Sequence, residues 1–258
     1  MKILKREVPS EFYGKDYYNG GGGRAAYSLT NGRCTSFAND RIRVLQKYAP
    51  KGAKILDIGS GPANLTQLVN ENNLPYSMCS VDISKEAAEI AFKRGIKTHK
   101  VGSAYNLPYG TESFDFILMP DIIEHLEKPE EAIAEAKRVL VQGGKLYIAT
   151  FDRYSPLAFV QGLNVAWKKH SNKPLTERIK KSLYDARHYY LLADKSHVWE
   201  PSKSDMRALL TKANFQNIKI RNFTHLAKYP WIRKLLGGAG YFPGGSHIEA
   251  LARKPKVQ

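Results

Sequence analysis

Two rhythms of apolar and polar residues alternate along the chain. Short apolar runs at 54–58, 76–83, 97–101, 114–119 and 145–151 have the length and β-branched content of strands. Between them, residues 64–71, 85–94 and 130–140 carry apolar side chains at three- and four-residue spacing, as helices that bury one face do. A further helix is expected over 36–48. Strands and helices in alternation imply an α/β fold, a parallel sheet with helices on both faces. The segments "FQNIKIRNF" and "HIEALARKP" alternate residue by residue, which adds two strands as an antiparallel hairpin at one edge and makes the sheet seven-stranded. Gly143 and Gly144 are expected to stop a helix just before the fifth strand. Residues 152–200 are too long for a simple connection and read as an inserted helical cap. The chain therefore divides into an N-terminal helical lid segment (1–53), a ligand-binding core (54–151), the cap over an acceptor site (152–200) and a C-terminal part of the core with edge strands (201–258). The four glycines at 20–23 have neither a clear strand before them nor a clear helix after them, so they read as a joint for the lid and not as a phosphate loop.

The stretch "KILDIGSGPANLTQL" carries the first chemical signal. Asp57 ends an apolar strand at the edge where open α/β sheets bind ligands. Gly59 and Gly61 permit positive φ and close approach of backbone, and Pro62 suits the first turn of a helix. A glycine turn alone is also an ordinary strand-to-helix connection. The second strand adds weight, because it ends in "SVDIS" and offers Asp82 to a pair of ribose hydroxyls. Two nucleoside classes compete. A dinucleotide rests its pyrophosphate on the helix N-terminus, but here the third glycine of GxGxxG is replaced by Asn64, and Asp57 would repel phosphate. A carboxylate at that place suits a cation, such as the ammonium of an amino acid. A nucleoside joined to an amino acid is S-adenosyl-L-methionine.

These stretches, together with "GSAYNLPYGTESFDFILMPDIIEHLEKPEEAIAEAKRVLVQGGKLYIATF", resemble the class I S-adenosylmethionine-dependent methyltransferases. The branch they are most similar to is that of the ubiquinone- and menaquinone-biosynthesis enzymes and their small-molecule relatives. The resemblance runs over roughly residues 41–151 and implies a Rossmann-like fold. It implies that Asp57, Gly59, Ser60 and Gly61 receive the amino-acid end of the cofactor, that Asp82 holds the ribose and that Ile83 lies against the adenine. Ala63 stands where the family usually has its third glycine. Ser103 and Ala104 occupy the place of an Asp-Ala pair beside the adenine amine, so the serine is a departure. Pro120 follows the fourth strand, where relatives place a residue against the cofactor. Arg41 resembles an arginine near the cofactor carboxylate, with Arg43 a rival for the role.

For the transfer chemistry, Asp121, Glu124 and His125 in "DIIEHL" lie at i, i+3 and i+4, so one helical face would present all three. Ubiquinone-pathway O-methyltransferases carry a similar Glu-x-x-Glu-His at a divalent-metal site, which implies a candidate ion such as Mg. The same residues also read as a plain helix start. His125, and His188 or His197 in the insert, are candidate bases over the acceptor; the latter two read equally as polar contacts of the cap.

Charge widens the choice of acceptor. The formal net charge is +16, yet residues 55–152 sum to −5, while the flanks 1–54, 153–200 and 201–258 carry +7, +5 and +9. Basic flanks suit an anionic substrate, an anionic membrane surface, nucleic acid or mere solvation. A small-molecule acceptor is the leading expectation: quinone-like, lipid-linked or a secondary metabolite. RNA methylation is the runner-up, weakened because "MPDI" stands where base-methylating enzymes have an NPPY-like motif. A cofactor-binding regulatory protein is the third reading. The start "MKILKREVPS" has no apolar signal region and two cysteines make no disulfide framework, so a cytoplasmic protein, with the membrane periphery as an option, is expected.

Overall fold

A computed structural model describes residues 8–14, 17, 32–188, 196–223 and 247–256. The glycine run at 20–23 and Tyr189 and Tyr190 of the insert lie outside the described residues. Seven strands form one sheet: β1 Lys54–Ile58, β2 Ser77–Asp82, β3 His99–Val101, β4 Phe114–Pro120, β5 Leu140–Phe151, β6 Gln216–Phe223 and β7 His247–Arg253. Their order is β3-β2-β1-β4-β5-β7-β6. The first five are parallel, and β7 runs antiparallel between β5 and β6. The described α-helices are α1 Gly32–Tyr48, α2 Asn64–Glu71, α3 Lys85–Lys93, α4 Pro129–Val139, α5 Pro156–Lys169, α6 Leu175–Arg187 and α7 Lys203–Lys212. The fold is the seven-stranded, mostly parallel Rossmann-like sheet with an antiparallel edge hairpin expected from the sequence.

Strand β4 shows why the parallel strands read as unbroken apolar runs. Phe116 and Leu118 join one core with Val44 and Leu45 of α1 and Leu65 and Val69 of α2. Ile117 and Met119 point the other way, into a core with Ala132 and Ile133 of α4 and Met206 and Leu210 of α7. Both faces are covered from Phe116 on, and the one charged residue of the strand, Asp115, is half-buried near its start, where it accepts from Lys54 N. Helix starts are set by short polar side chains: Ser84, Ser155 and Ser202 each accept a hydrogen bond from the backbone N–H three residues on.

One boundary departs from expectation. Helix α4 ends at Val139 and Leu140 already pairs with Phe114, so Gly143 and Gly144 lie inside β5 and do not stop the helix. Gly143 takes φ +75°, and a β-carbon on Gly144 would meet the Leu140 side chain at 2.8 Å. The two glycines bend the strand beside its register shift.

Strand order turns at β1, with β2 on one side and β4 on the other. The carboxyl ends of these strands open the crevice in which doubly wound sheets take ligands.

Candidate active site

Asp57 sits at that crevice, fully buried, and neither carboxylate oxygen has a hydrogen-bond partner among the described residues. Burial pushes its pKa up to about 6; Arg41 nearby pulls it down, while Asp82 and Asp121 push it further up. A buried carboxylate without a donor costs several kcal/mol, so the position asks for a donor from outside the described residues. The turn that follows is strapped to β2. The amides of Gly59 and Ser60 donate to the Val81 carbonyl at 2.9 and 3.2 Å, and that of Gly61 donates to Asp82 Oδ2 at 2.7 Å. These three N–H groups are spent inside the protein, and Pro62 has none, so the turn offers a pyrophosphate no cradle. Gly59 and Gly61 have φ +71° and +53°, and a β-carbon on Gly59 would stand 2.7 Å from Ile122. Asp82 Oδ1 accepts from Ser84 N at 3.0 Å. Ile83 beside it is an exposed apolar side chain.

Across the crevice, β4 ends in Pro120 and a 3-10 helix follows over Ile123–His125. A strap from the far end of the insert is laid on this helix. Val198 N donates to the Glu124 carbonyl at 2.9 Å, and Trp199 Nε1 donates to the Ile123 carbonyl at 2.6 Å. His125 Nδ1 lies 3.2 Å from the Ser196 carbonyl. That contact needs the proton on Nδ1, which leaves Nε2 with the lone pair of the neutral ring. The His125 and His197 rings meet edge to face at 4.8 Å. Glu124, His125 and His197 each bring one ligand-type atom within 4.8 Å of the others'. The N-terminal segment closes the same corner: Ser84 Oγ donates to the Tyr13 carbonyl at 2.7 Å, and the Tyr13 ring is 6.4 Å from that of His125.

A family model described as a methyltransferase domain matches residues 32–220. The chain belongs to this methyltransferase domain family. It is 42% identical to an uncharacterised protein of Methanocaldococcus jannaschii over 115 residues, which are 44% of this chain and 52% of that one. It is 26% identical to a ubiquinone/menaquinone biosynthesis C-methyltransferase of Allorhizobium ampelinum, over 71% of this chain and 72% of that one. The chain spans about half the length of the first curated relatives it matches. Among solved structures, an S-adenosylmethionine-dependent methyltransferase from Thermotoga maritima shares the fold with a TM-score of 0.57 at 21% identity, covering 95% of this chain and 97% of that one.

In this methyltransferase-domain chain the expected residues fall into two groups. Asp57, Gly59, Ser60, Gly61, Asp82 and Ile83 gather at the ends of β1 and β2. Ser103 caps its own turn by accepting from Tyr105 N at 3.2 Å, and Ala104 is buried beside it. Pro120 is the last residue of β4, paired with Ala149, and does not follow the strand. Arg41 reaches the crevice and donates to Asp121 Oδ2 at 3.0 Å, whereas Arg43 pairs with Asp40 on the outside of α1.

The trio Asp121, Glu124 and His125 does not share a helical face. Asp121 takes φ +53°, two residues before the 3-10 helix starts, and turns to Arg41. The third member beside Glu124 and His125 is His197, which arrives on the strap. His188 sits elsewhere, with Nδ1 at 3.3 Å from Glu200 Oε2 and its ring against Tyr184. Trp199 and Tyr13 were missed by sequence reasoning. "SHVWE" is a short apolar run, which signals burial but says nothing of the partner it pairs with.

Proposed function

We propose that this chain transfers a methyl group from S-adenosylmethionine to a small-molecule acceptor held between the glycine turn and His125. One observation carries the reading: Asp57 is a buried carboxylate with no donor inside the described chain, set at the end of β1 beside a turn whose amides are already used. An ammonium satisfies it and a phosphate does not. When bound, S-adenosylmethionine supplies an electrophilic methyl group on a sulfonium.

The chain's own part is to bind, orient and exclude water. Asp57 accepts from the ammonium. Asp82, whose oxygens accept from the Gly61 and Ser84 amides, is the acceptor for the ribose hydroxyls. Ile83 supplies an apolar wall for the adenine, next to the turn of Ser103 and Ala104. Arg41, which donates to Asp121, brings a guanidinium that suits the cofactor's carboxylate. The N-terminal lid, anchored through Tyr13 to Ser84, covers the corner where the acceptor sits. His125, with Nε2 as acceptor, takes the proton that an attacking hydroxyl or ring carbon gives up. Where the acceptor instead needs an oxygen polarised, Glu124, His125 and His197 are the residues that would hold a divalent ion such as Mg, and His125 is then a ligand and not the base.

A quinone-like or lipid-linked acceptor fits the likeness to quinone-biosynthesis relatives. The test is incubation with radiolabelled methyl donor and separate lipid, small-molecule, RNA and protein extracts, each with and without EDTA. Label in the lipid or small-molecule fraction is expected. Label in RNA selects the RNA methyltransferase reading, and label nowhere selects a non-catalytic cofactor-binding protein. Loss of label with EDTA assigns the ion to the trio.

A further inference from the structure

The hairpin of the helical insert leaves a row of large apolar side chains exposed. Helices α5 and α6 pack on one another. The face α5 buries is made of Ala158, Gly162 and Ala166, four residues apart, and α6 buries Ser182 and Ala186. Phe159 and Leu163 of α5 are half-buried, and several other large apolar side chains are exposed. On α6 these are Leu175, Ile179 and Leu183, again at four-residue spacing, with Leu175 63% exposed. On α5 they are Val160, Val165 and Trp167, with Val160 62% exposed. Tyr154 and Tyr184 are exposed at the same level. In water a helix pair gains most by burying its large apolar residues. A row of large apolar side chains left exposed on a helix pair marks a surface that meets an apolar partner.

Charge says what those surroundings are. The two acids of the α5–α6 helices are consumed locally: Glu177 by Lys173 and Lys181, and Asp185 by Lys169 and His170. Lys168, Lys180 and Arg187 have no ion-pair partner among the described residues and stand exposed on the same hairpin. Arg178 lies over the Trp167 ring at 3.9 Å, so a cation accompanies the largest exposed aromatic. No described helix is long and apolar enough to cross a membrane. Large apolar and aromatic side chains flanked by unpaired cations on short helices match an anionic lipid surface, with the rings and aliphatic chains in the headgroup layer.

We infer that the α5–α6 hairpin docks this protein on anionic membranes through the exposed apolar residues of both helices and the cations Lys168, Lys180 and Arg187. The inference goes beyond methyl transfer, and its test needs neither cofactor turnover nor acceptor, so its failure leaves the methyltransferase reading intact.

The test is flotation of the full chain with vesicles of phosphatidylcholine and phosphatidylglycerol, beside vesicles of phosphatidylcholine alone. Two double variants go with it, Ile179→Gln with Leu183→Gln and Lys168→Glu with Lys180→Glu; binding of S-adenosylhomocysteine confirms that each is folded. The wild type is expected to float with anionic vesicles at about 50 mM salt, and about tenfold less at about 500 mM or with neutral vesicles. Each double variant is expected to lose about tenfold or more of the anionic-vesicle binding. Wild type that stays at the bottom of the gradient at low salt overturns the inference, as do folded variants that float like the wild type. A dimer in sedimentation velocity, or a tRNA gel shift, that the variants abolish without any flotation assigns the face to a second copy or to RNA, and overturns it equally.

Discussion

The two walls of the crevice are built over different distances along the chain. On the cofactor side, the decisive hydrogen bond joins Gly61 to Asp82, 21 residues apart. On the acceptor side, His125 meets Ser196 across 71 residues, Ile123 meets Trp199 across 76, and Ser84 meets Tyr13 across 71. The first wall is one strand-turn-helix-strand unit that local sequence dictates. The second exists only once the insert and the N-terminal segment have docked on the sheet. Binding of the methyl donor and processing of the acceptor should therefore be separable by mutation.

The largest expected effect tests that separation. His125→Ala should lower kcat by about 10²- to 10⁴-fold, the range for losing a general base. Affinity for S-adenosylhomocysteine should stay within about twofold. Single-turnover kinetics beside calorimetry give both numbers. A parallel loss of cofactor affinity would mean that the two walls act as one.

Asp57→Asn should do the reverse. The carboxyl pKa in the folded protein, about 6, lies above its ordinary 3.8, so the folded state holds the extra proton. Asp57 thus favours the fold below about pH 4 and loses that contribution as pH rises through about 6. The ligand-free variant should exceed the wild type by about 3 kcal/mol at pH 8 and match it near pH 4, as read from urea unfolding at the two pH values. Its affinity for the cofactor product should fall. A variant no more stable at pH 8 would show that Asp57 is already satisfied in the ligand-free protein.

The smallest effect concerns Ala63, a non-glycine residue that holds φ +56°. Ala63→Gly relieves about 1–2 kcal/mol of left-handed strain but removes a buried methyl worth about 0.8 kcal/mol and loosens the unfolded chain. Net stability should move by less than about 0.5 kcal/mol. Ala88→Gly, at a buried position inside α3, should cost about 1 kcal/mol or more. Equal losses at the two sites would remove the strain assigned to the turn.

The same contrast explains what was legible in the sequence. Apolar runs announced the parallel strands, and Asp57 and Asp82 stood out as acids near their carboxyl ends, beside the glycine turn. The Gly143-Gly144 pair misled because a bend inside a strand and a helix stop use the same residue. Asp121 misled because three- and four-residue spacing implies a shared face only where the backbone is already helical, and its φ of +53° breaks the pattern. His197 was visible as a histidine, but its place beside Glu124 and His125 follows from strap hydrogen bonds over more than 70 residues, which leave no local trace.

The claim that an ammonium-bearing ligand completes Asp57 has a direct test in proton-linked calorimetry. S-Adenosylhomocysteine is titrated at about pH 6 and about pH 8 in buffers of different ionisation enthalpy, with wild type and Asp57→Asn. Near pH 6 the ligand-free carboxyl is about half protonated, and the ammonium holds it ionised once bound. Release of about half a proton per site is expected there in the wild type, none at about pH 8, and none in the variant at either pH. Binding with no buffer dependence at pH 6, or the same proton release from Asp57→Asn, would contradict the assignment of Asp57 as the receiver of the cofactor's amino-acid end.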